Sequence, residues 1–270
     1  MEELKAIKGY YRPIQPTVKV DNGDIVYREV RPGKDVENLI YCYWQLTAVK
    51  PLEKPFIYRV VSDGCIDIFF NHHQLDENYI MGFCRKYTEF QIGKEFNYVG
   101  IRFLPAAFPL LFGLDAKRLS NQSQELKAVL PKFSKWIETN LSTDDSLDNV
   151  TFQIDNMLAE IIQNKDFEID GRFFNSLKLI FQNKGLLDTE KDLMMGLSPR
   201  QLRRVFDFYI GTTPKAFSNV VRFQYILNAK PSTQSLKENK LYLDVGFFDQ
   251  AHFIKNFKTF YGVTPSKAFQ

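Results

Sequence analysis

Ser198–Tyr209, SPRQLRRVFDFY, and Asp249–Phe260, DQAHFIKNFKTF, carry the organisation of the C-terminal part of this chain. Each opens on a helix-start signal. Ser198 can cap the free amides of a first turn, with Pro199 at the position where a fixed φ and a missing N–H do no harm. Asp249 can cap the second stretch in the same way. Apolar residues then recur at helical spacing: Leu202, Val205, Phe206 and Tyr209 in the first, Phe253, Ile254, Phe257 and Phe260 in the second. Each stretch ends on matching punctuation, Gly211-Thr-Thr-Pro214 and Gly262-Val-Thr-Pro265. Leu202 and Phe253, Phe206 and Phe257, Gly211 and Gly262, and Pro214 and Pro265 are each 51 positions apart. One helical unit is therefore used twice. The outward faces carry Arg200, Arg203 and Arg204 in the first copy, and Gln250, His252, Lys255 and Lys258 in the second.

Charge is distributed unevenly around this repeat. The net charge of the 270 residues is +3, yet residues 198–270 hold 11 basic and 4 acidic side chains. A basic module joined to a near-neutral one is the electrostatic footprint of a nucleic-acid-binding unit with a partner domain, although a solvated basic face would give the same count. The apolar runs fall short of a membrane span and residues 1–20 lack a signal-peptide core, so a cytoplasmic protein is expected. Cys42, Cys65 and Cys84 are odd in number and lack metal-ligand spacing, which argues against a disulfide framework.

Upstream, the texture is β-rich. PIQPT and DNGD in residues 1–30 read as turns, with an extended piece at Ile25–Val30. Strands are expected over 38–48, over 56–70 on either side of a turn at Ser62-Asp63-Gly64, over Asn78–Phe83 and over Asn97–Phe103. Asp67 is polar among apolar neighbours, so one face of its strand is expected to be buried. These short strands predict a barrel or a sandwich. Helices are then expected at Ala106–Leu114 (broken by Pro109), Gln122–Leu130, Pro131–Asn140 and Leu147–Gln163. The last has an apolar stripe that packs on its own domain or forms a dimer interface or bridge. After a polar boundary at 164–170 the reading is all-helical: Phe173–Gln182, Asp188–Met195, Ser198–Tyr209, Pro214 to about Ala229, Ser235–Val245, Asp249–Phe260 and a last turn after Pro265.

The segments SPRQLRRVFDFYIGTTPKAF and GFFDQAHFIKNFKTFYGVTPSKAF resemble the DNA-binding domain of the AraC/XylS family of bacterial transcription regulators, over about residues 171–270. The resemblance implies two helix-turn-helix motifs joined by a long helix. YYRPIQPTVK, IYCYWQL, YRVVSDGCIDIFF, MGF and YVGIRFLPAAFP resemble the sensor-type domain found ahead of this module in some regulators, where cupin-like β-barrels are common. The expected class is α+β: residues 1–115 a β-rich sensor, cupin-like barrel or sandwich; 116–165 a helical linker or dimerisation segment; 166–270 the DNA-binding domain. Three departures from the family pattern stand out: short leading helices, with Met194 and Met195 just before Ser198–Tyr209; Tyr242 near a position usually occupied by alanine; and the polar connection Lys230–Asn239, interrupted by Pro231.

By this resemblance the DNA contacts fall on Arg200, Arg203, Arg204, Gln250, Ala251, His252, Lys255 and Lys258. Arginine suits guanine O6/N7 or phosphate, glutamine suits adenine, and the Ala251 methyl can meet thymine. Arg222 on the joining helix is open to an internal salt bridge or a phosphate contact. Double-stranded promoter DNA is the expected partner, with RNA polymerase, a small-molecule effector and a second copy of the chain as further candidates. No cofactor and no enzymatic activity are expected, since neither a phosphate loop nor a nucleophile elbow is present. The competing class is a ligand-binding or enzymatic β-barrel with an accessory DNA-binding tail, for instance a methyl acceptor using Cys65. Acidic neighbours, however, raise a thiol pKa and oppose reactivity. His72 and His73 beside Asp76 and Glu77 lack a third metal ligand at supportive spacing.

Overall fold

Period-two alternation sets the two faces of the N-terminal sheet. The computed structural model describes residues 2–16, 23–193, 195–229, 246–247 and 249–269. The expected Ser235–Val245 helix, Met194, Tyr242 and the 230–239 connection lie outside them. Among the described residues there are eight strands: β1 (Ile25–Val30), β2 (Ile40–Ala48), β3 (Phe56–Val60), β4 (Ile66–Asn71), β5 (Gln74–Met81), β6 (Thr88–Ile92), β7 (Asn97–Phe103) and β8 (Ser123–Glu125). Six form an antiparallel sheet in the order β1-β2-β7-β4-β5-β8, and β3 and β6 form a separate two-stranded ribbon. The result is an open sandwich, so of the two expected forms the sandwich holds.

On one face of the large sheet Tyr43, Ile68, Phe70, Ile80, Val99, Ile101 and Phe103 are buried in the main core. On the other, Cys42, Trp44 and Leu46 pack with Phe69 and Tyr98 toward Tyr58 and Phe90 of the ribbon. Gly100 makes this second layer thin. A Cβ there would lie 2.0 Å from the Trp44 ring, so only glycine lets the indole rest on β7.

The helices cover the first face. Among the described residues they are α1 (Glu2–Tyr10), α2 (Ala107–Phe112), α3 (Leu126–Val129), α4 (Pro131–Asn140), α5 (Leu147–Gln163), α6 (Gly171–Gln182), α7 (Pro199–Ile210), α8 (Pro214–Asn228), α9 (Gln250–Tyr261) and α10 (Pro265–Ala268). Several differ from the reading above. Residues 2–10 are helical instead of turn and extended chain: Leu4 and Ile7 are fully buried, and α1 packs on α6. Pro109 does not break α2, because it sits in the first turn where its missing N–H costs nothing. Gln122–Leu130 is not one helix: Ser123–Glu125 joins the sheet beside β5, and only Leu126–Val129 is helical. Asp188–Leu193 is a run of turns held by Lys191 and Asp192 amides on the Asp188 carbonyl. The strand β6, TEFQI, was not anticipated, although it alternates.

The α5 stripe packs within the chain: Val150, Ile154 and Leu158 are buried, and Asp155 accepts from Tyr43 Oη (2.6 Å) and the Gly33 amide (2.8 Å). Among the described residues no helix is long and apolar enough to cross a membrane.

Candidate nucleic-acid interface and the sheet cavity

Local sequence builds both reader helices. Ser198 and Gln201 form a reciprocal capping box, with Ser198 Oγ accepting from the Gln201 amide (3.3 Å) and Gln201 Oε1 from the Ser198 amide (2.9 Å). Asp249 accepts from the His252 amide at 2.7 Å. Gly211 (φ 87) and Gly262 (φ 95) close the two helices in the left-handed region, which L side chains avoid. Leu202, Phe206 and Ile210 seat α7; Phe253, Phe257 and Phe260 seat α9. Ile254, expected on the seated face of α9, is exposed instead, and Tyr261 is buried.

The long helix α8 holds both. Phe217 meets Phe206 at 6.4 Å between ring centres, and Phe223 meets Phe257 and Phe260 at 5.5 and 5.2 Å. Each such buried ring contributes roughly 1.5–3 kcal/mol relative to exposure. Arg222, open to an internal salt bridge or a phosphate contact, makes no ion pair among the described residues. It is half-buried, donates Nη2 to the Gly185 carbonyl at 3.1 Å and stacks over Phe247, and burial lowers its pKa.

Arg200, Arg203, Arg204, Gln250, Ala251, His252, Lys255 and Lys258 are all exposed. Among the described residues none of the three arginines, Lys255 or Lys258 is in an ion pair, whereas Arg59, Arg102 and Arg172 each pair with a carboxylate. Arg200 and Arg204 are one turn apart, as are Ala251 and Lys255. Arg203 and Lys215 border a surface groove of about 480 Å³ at the amino end of α8, together with Glu190.

The opposite ends of both reader helices are docked on the β-rich part. At α7, Ser120 Oγ donates to the Gly211 carbonyl (2.6 Å), Lys117 pairs with Asp207 (2.5 Å) and Arg85 donates to Thr212 (3.2 Å). At α9, the Tyr87 and Ser62 amides donate to the carbonyls of Thr259 (3.2 Å) and Phe260 (3.4 Å). A Cβ on Gly262 would lie 3.0 Å from Arg59 Nε and from the Tyr87 ring. These anchors were not visible in the sequence: those at α9 are backbone amides, and those at α7 join residues 90 or more positions apart.

A cavity of about 350 Å³ lies between the large sheet and the β3–β6 ribbon, lined by Trp44, Phe69 and Tyr98 on one side and Tyr58 and Phe90 on the other. Asp67 also lines it. Its carboxyl accepts from Trp44 Nε1 (2.9 Å) and from Arg102 Nη2 (2.9 Å); Arg102, directly opposite on β7 and 1% exposed, also reaches Asp63 at 3.4 Å. The network continues. Gln15 Nε2 donates to Asp63 (2.8 Å), and Gln224 of α8 donates to the Ser62 carbonyl (2.9 Å) and accepts from the Ile14 amide (2.9 Å). Sequence reasoning noticed Asp67 and missed Arg102; a lone arginine in the apolar run YVGIRF was the available signal. Cys65 is buried and its thiol pKa is pushed up by burial, then by Asp63. His72 is enclosed, with Nε2 3.1 Å from the Ser142 carbonyl and Nδ1 3.3 Å from Asn97 Nδ2.

With this geometry in place, comparison with known proteins is direct. A helix-turn-helix domain family matches residues 193–270, the stretch that contains both capped helices. Residues 193–270 therefore carry a helix-turn-helix domain. Residues 28–125 match a domain of unknown function, DUF6597. Among solved structures, the chain is similar to a lysine-to-alanine variant of ToxT from Vibrio cholerae, at 14% identity over 83% of this chain and 96% of that one, TM-score 0.45. ToxT bound to (E)-4-(8-methylnaphthalen-1-yl)but-3-enoic acid gives 13% identity, 83% and 98% coverage and TM-score 0.43. The AraC-like transcriptional activator CuxR gives 12%, 79% and 89%, and 0.23. No curated protein matches the sequence.

Proposed function

We propose that α7 and α9 enter successive major-groove segments on one face of promoter DNA, and that the N-terminal sandwich senses a small molecule and changes how the two helices are presented. The observation that carries the first part is that Arg200, Arg203 and Arg204 are exposed, with no ion-pair partner among the described residues, at the end of α7 remote from its docking contacts. Successive major-groove faces are about 34 Å apart, so one chain with two readers can span them. Arg200, Arg203 and Arg204 supply guanine or phosphate contacts; Gln250, Ala251, His252, Lys255 and Lys258 supply a mixed set suited to base discrimination. Arg203 and Lys215 flank the amino end of α8, where a phosphate is favoured by the helix dipole.

The sensing part draws support from the ribbon. Tyr58 and Phe90 of the ribbon wall the cavity, while Arg59 and the adjacent Tyr87 hold the last turn of α9. A ligand that shifts the ribbon therefore shifts α9 relative to α7. Sites found by genome-wide mapping of bound DNA, assayed by anisotropy, test the reading. Arg203→Ala with Arg204→Ala, and Lys255→Ala, are expected to weaken binding at least tenfold; variants that bind as tightly and as selectively as the parent reject the assignment.

A further inference from the structure

The cavity carries more chemical information than its existence. Its walls are rings: Phe69 stacks on Tyr79 at 5.6 Å, stands edge-on to Tyr98 at 6.2 Å and lies 6.1 Å from Trp44. Among the described residues that line it there is no lysine or arginine; the acidic ones are Asp67 and Glu89. Glu89 is exposed and bound to Arg59 at 2.6 Å, which leaves Asp67 as the charged group of the interior.

The floor around Asp67 is short of positive charge. Two carboxyls, Asp63 and Asp67, share the single guanidinium of Arg102. Asp67 Oδ2 takes the Trp44 and Arg102 Nη2 bonds, whereas Oδ1 receives only a 3.2 Å contact from Arg102 Nε and retains a lone pair. Burial, with Asp63 adding to it, lifts the Asp67 pKa despite the arginine. Arg102 Nη1 has no protein partner, but Arg102 does not line the cavity, so an anion entering it meets Asp67 with no free cation on the wall. Ring faces are negative, and a desolvated cation over them gains further attraction. Carboxylate and rings thus favour the same ligand charge.

We propose that this cavity binds a small aromatic or alkyl ammonium ion, its charge held against Asp67 and its apolar body among Trp44, Phe69 and Tyr98. The proposal rests on the sensing role argued above and names its ligand class. A volume of about 350 Å³ is at the lower end of small-molecule sites, which suits a one- or two-ring amine.

The test is calorimetric titration of the full chain with three probes of one ring system and three charges: 1-naphthylmethylammonium, 1-naphthalenemethanol and 1-naphthoate. The ammonium is expected to bind about tenfold tighter than the alcohol, and the carboxylate weakest. Asp67→Asn is expected to remove most of that preference. Tyr98→Leu, which leaves the Arg102 cluster intact, lowers ammonium affinity several-fold and alcohol affinity less. The charge series on the unsubstituted chain decides the matter even if Asp67→Asn does not fold. Binding of the alcohol or the carboxylate as tight as the ammonium overturns the cationic class and leaves the sensing role standing. Failure of all three to bind at millimolar concentration overturns both.

Discussion

Arg102 shows what one buried charge does in this molecule. Removing a buried partner leaves its counter-charge uncompensated, which costs about 3–5 kcal/mol. Arg102→Ala would strand both Asp63 and Asp67, so a loss of that order is expected in urea denaturation; a change below about 1 kcal/mol would show that the carboxyls simply take up protons. The surface arginines behave differently. Each phosphate contact contributes about 0.9 to the slope of log K against log salt. The Arg203→Ala, Arg204→Ala double variant is expected to flatten that slope by nearly 2, against about 1 for Lys255→Ala; a larger effect at Lys255 would reverse the assignment of affinity to α7 and discrimination to α9. The basic reader faces were legible because helical spacing is local, whereas the Asp67–Arg102 pair joins strands 35 residues apart and is set by sheet register.

At the scale of elements, boundaries followed local chemistry where local chemistry was decisive. Asn97–Phe103, Pro131–Asn140 and Leu147–Gln163 match the strand and helices expected from alternation, an N1 proline and a 3.6-residue stripe. Glu2–Tyr10 was missed because nine residues do not sustain a helix alone; Leu4 and Ile7 against α6 supply the stability. Ser123–Glu125 was missed because a three-residue strand exists only beside its partner β5. Gly262 joins the helical and β-rich elements. Gly262→Ala places a side chain at φ 95 and 3.0 Å from Arg59 and Tyr87. A stability loss of about 1–2 kcal/mol in thermal melts is expected, together with weaker binding to DNA that spans both readers. Binding to a half-site read by α7 alone should change little, and an equal loss on both DNAs would argue against the ribbon as the mount of α9.

Across the whole molecule, one buried cluster runs from Leu4 and Ile7 through Phe70, Phe83 and Phe103 of the β-rich part to Phe217, Phe223 and Phe257 of the helical part. Phe83 and Phe217 face each other at 6.5 Å across the junction, and a Cβ on Gly64 would lie 2.8 Å from Phe217. Calorimetry is therefore expected to give a single transition with equal calorimetric and van't Hoff enthalpies. Two resolved transitions would mean that the halves melt independently.

The fit of Gly64 against Phe217 also bears on how such a protein can be recombined. A hybrid that joined these reader helices to a β-rich half with a residue other than glycine at the place of Gly64 would inherit Phe217 without the room made for it. Any larger residue at that place would push α8, and with it the seat of both readers, off its support. The two halves are matched as a lock and its own key blank, and shuffling them between regulators would require reshaping both sides of the seam together.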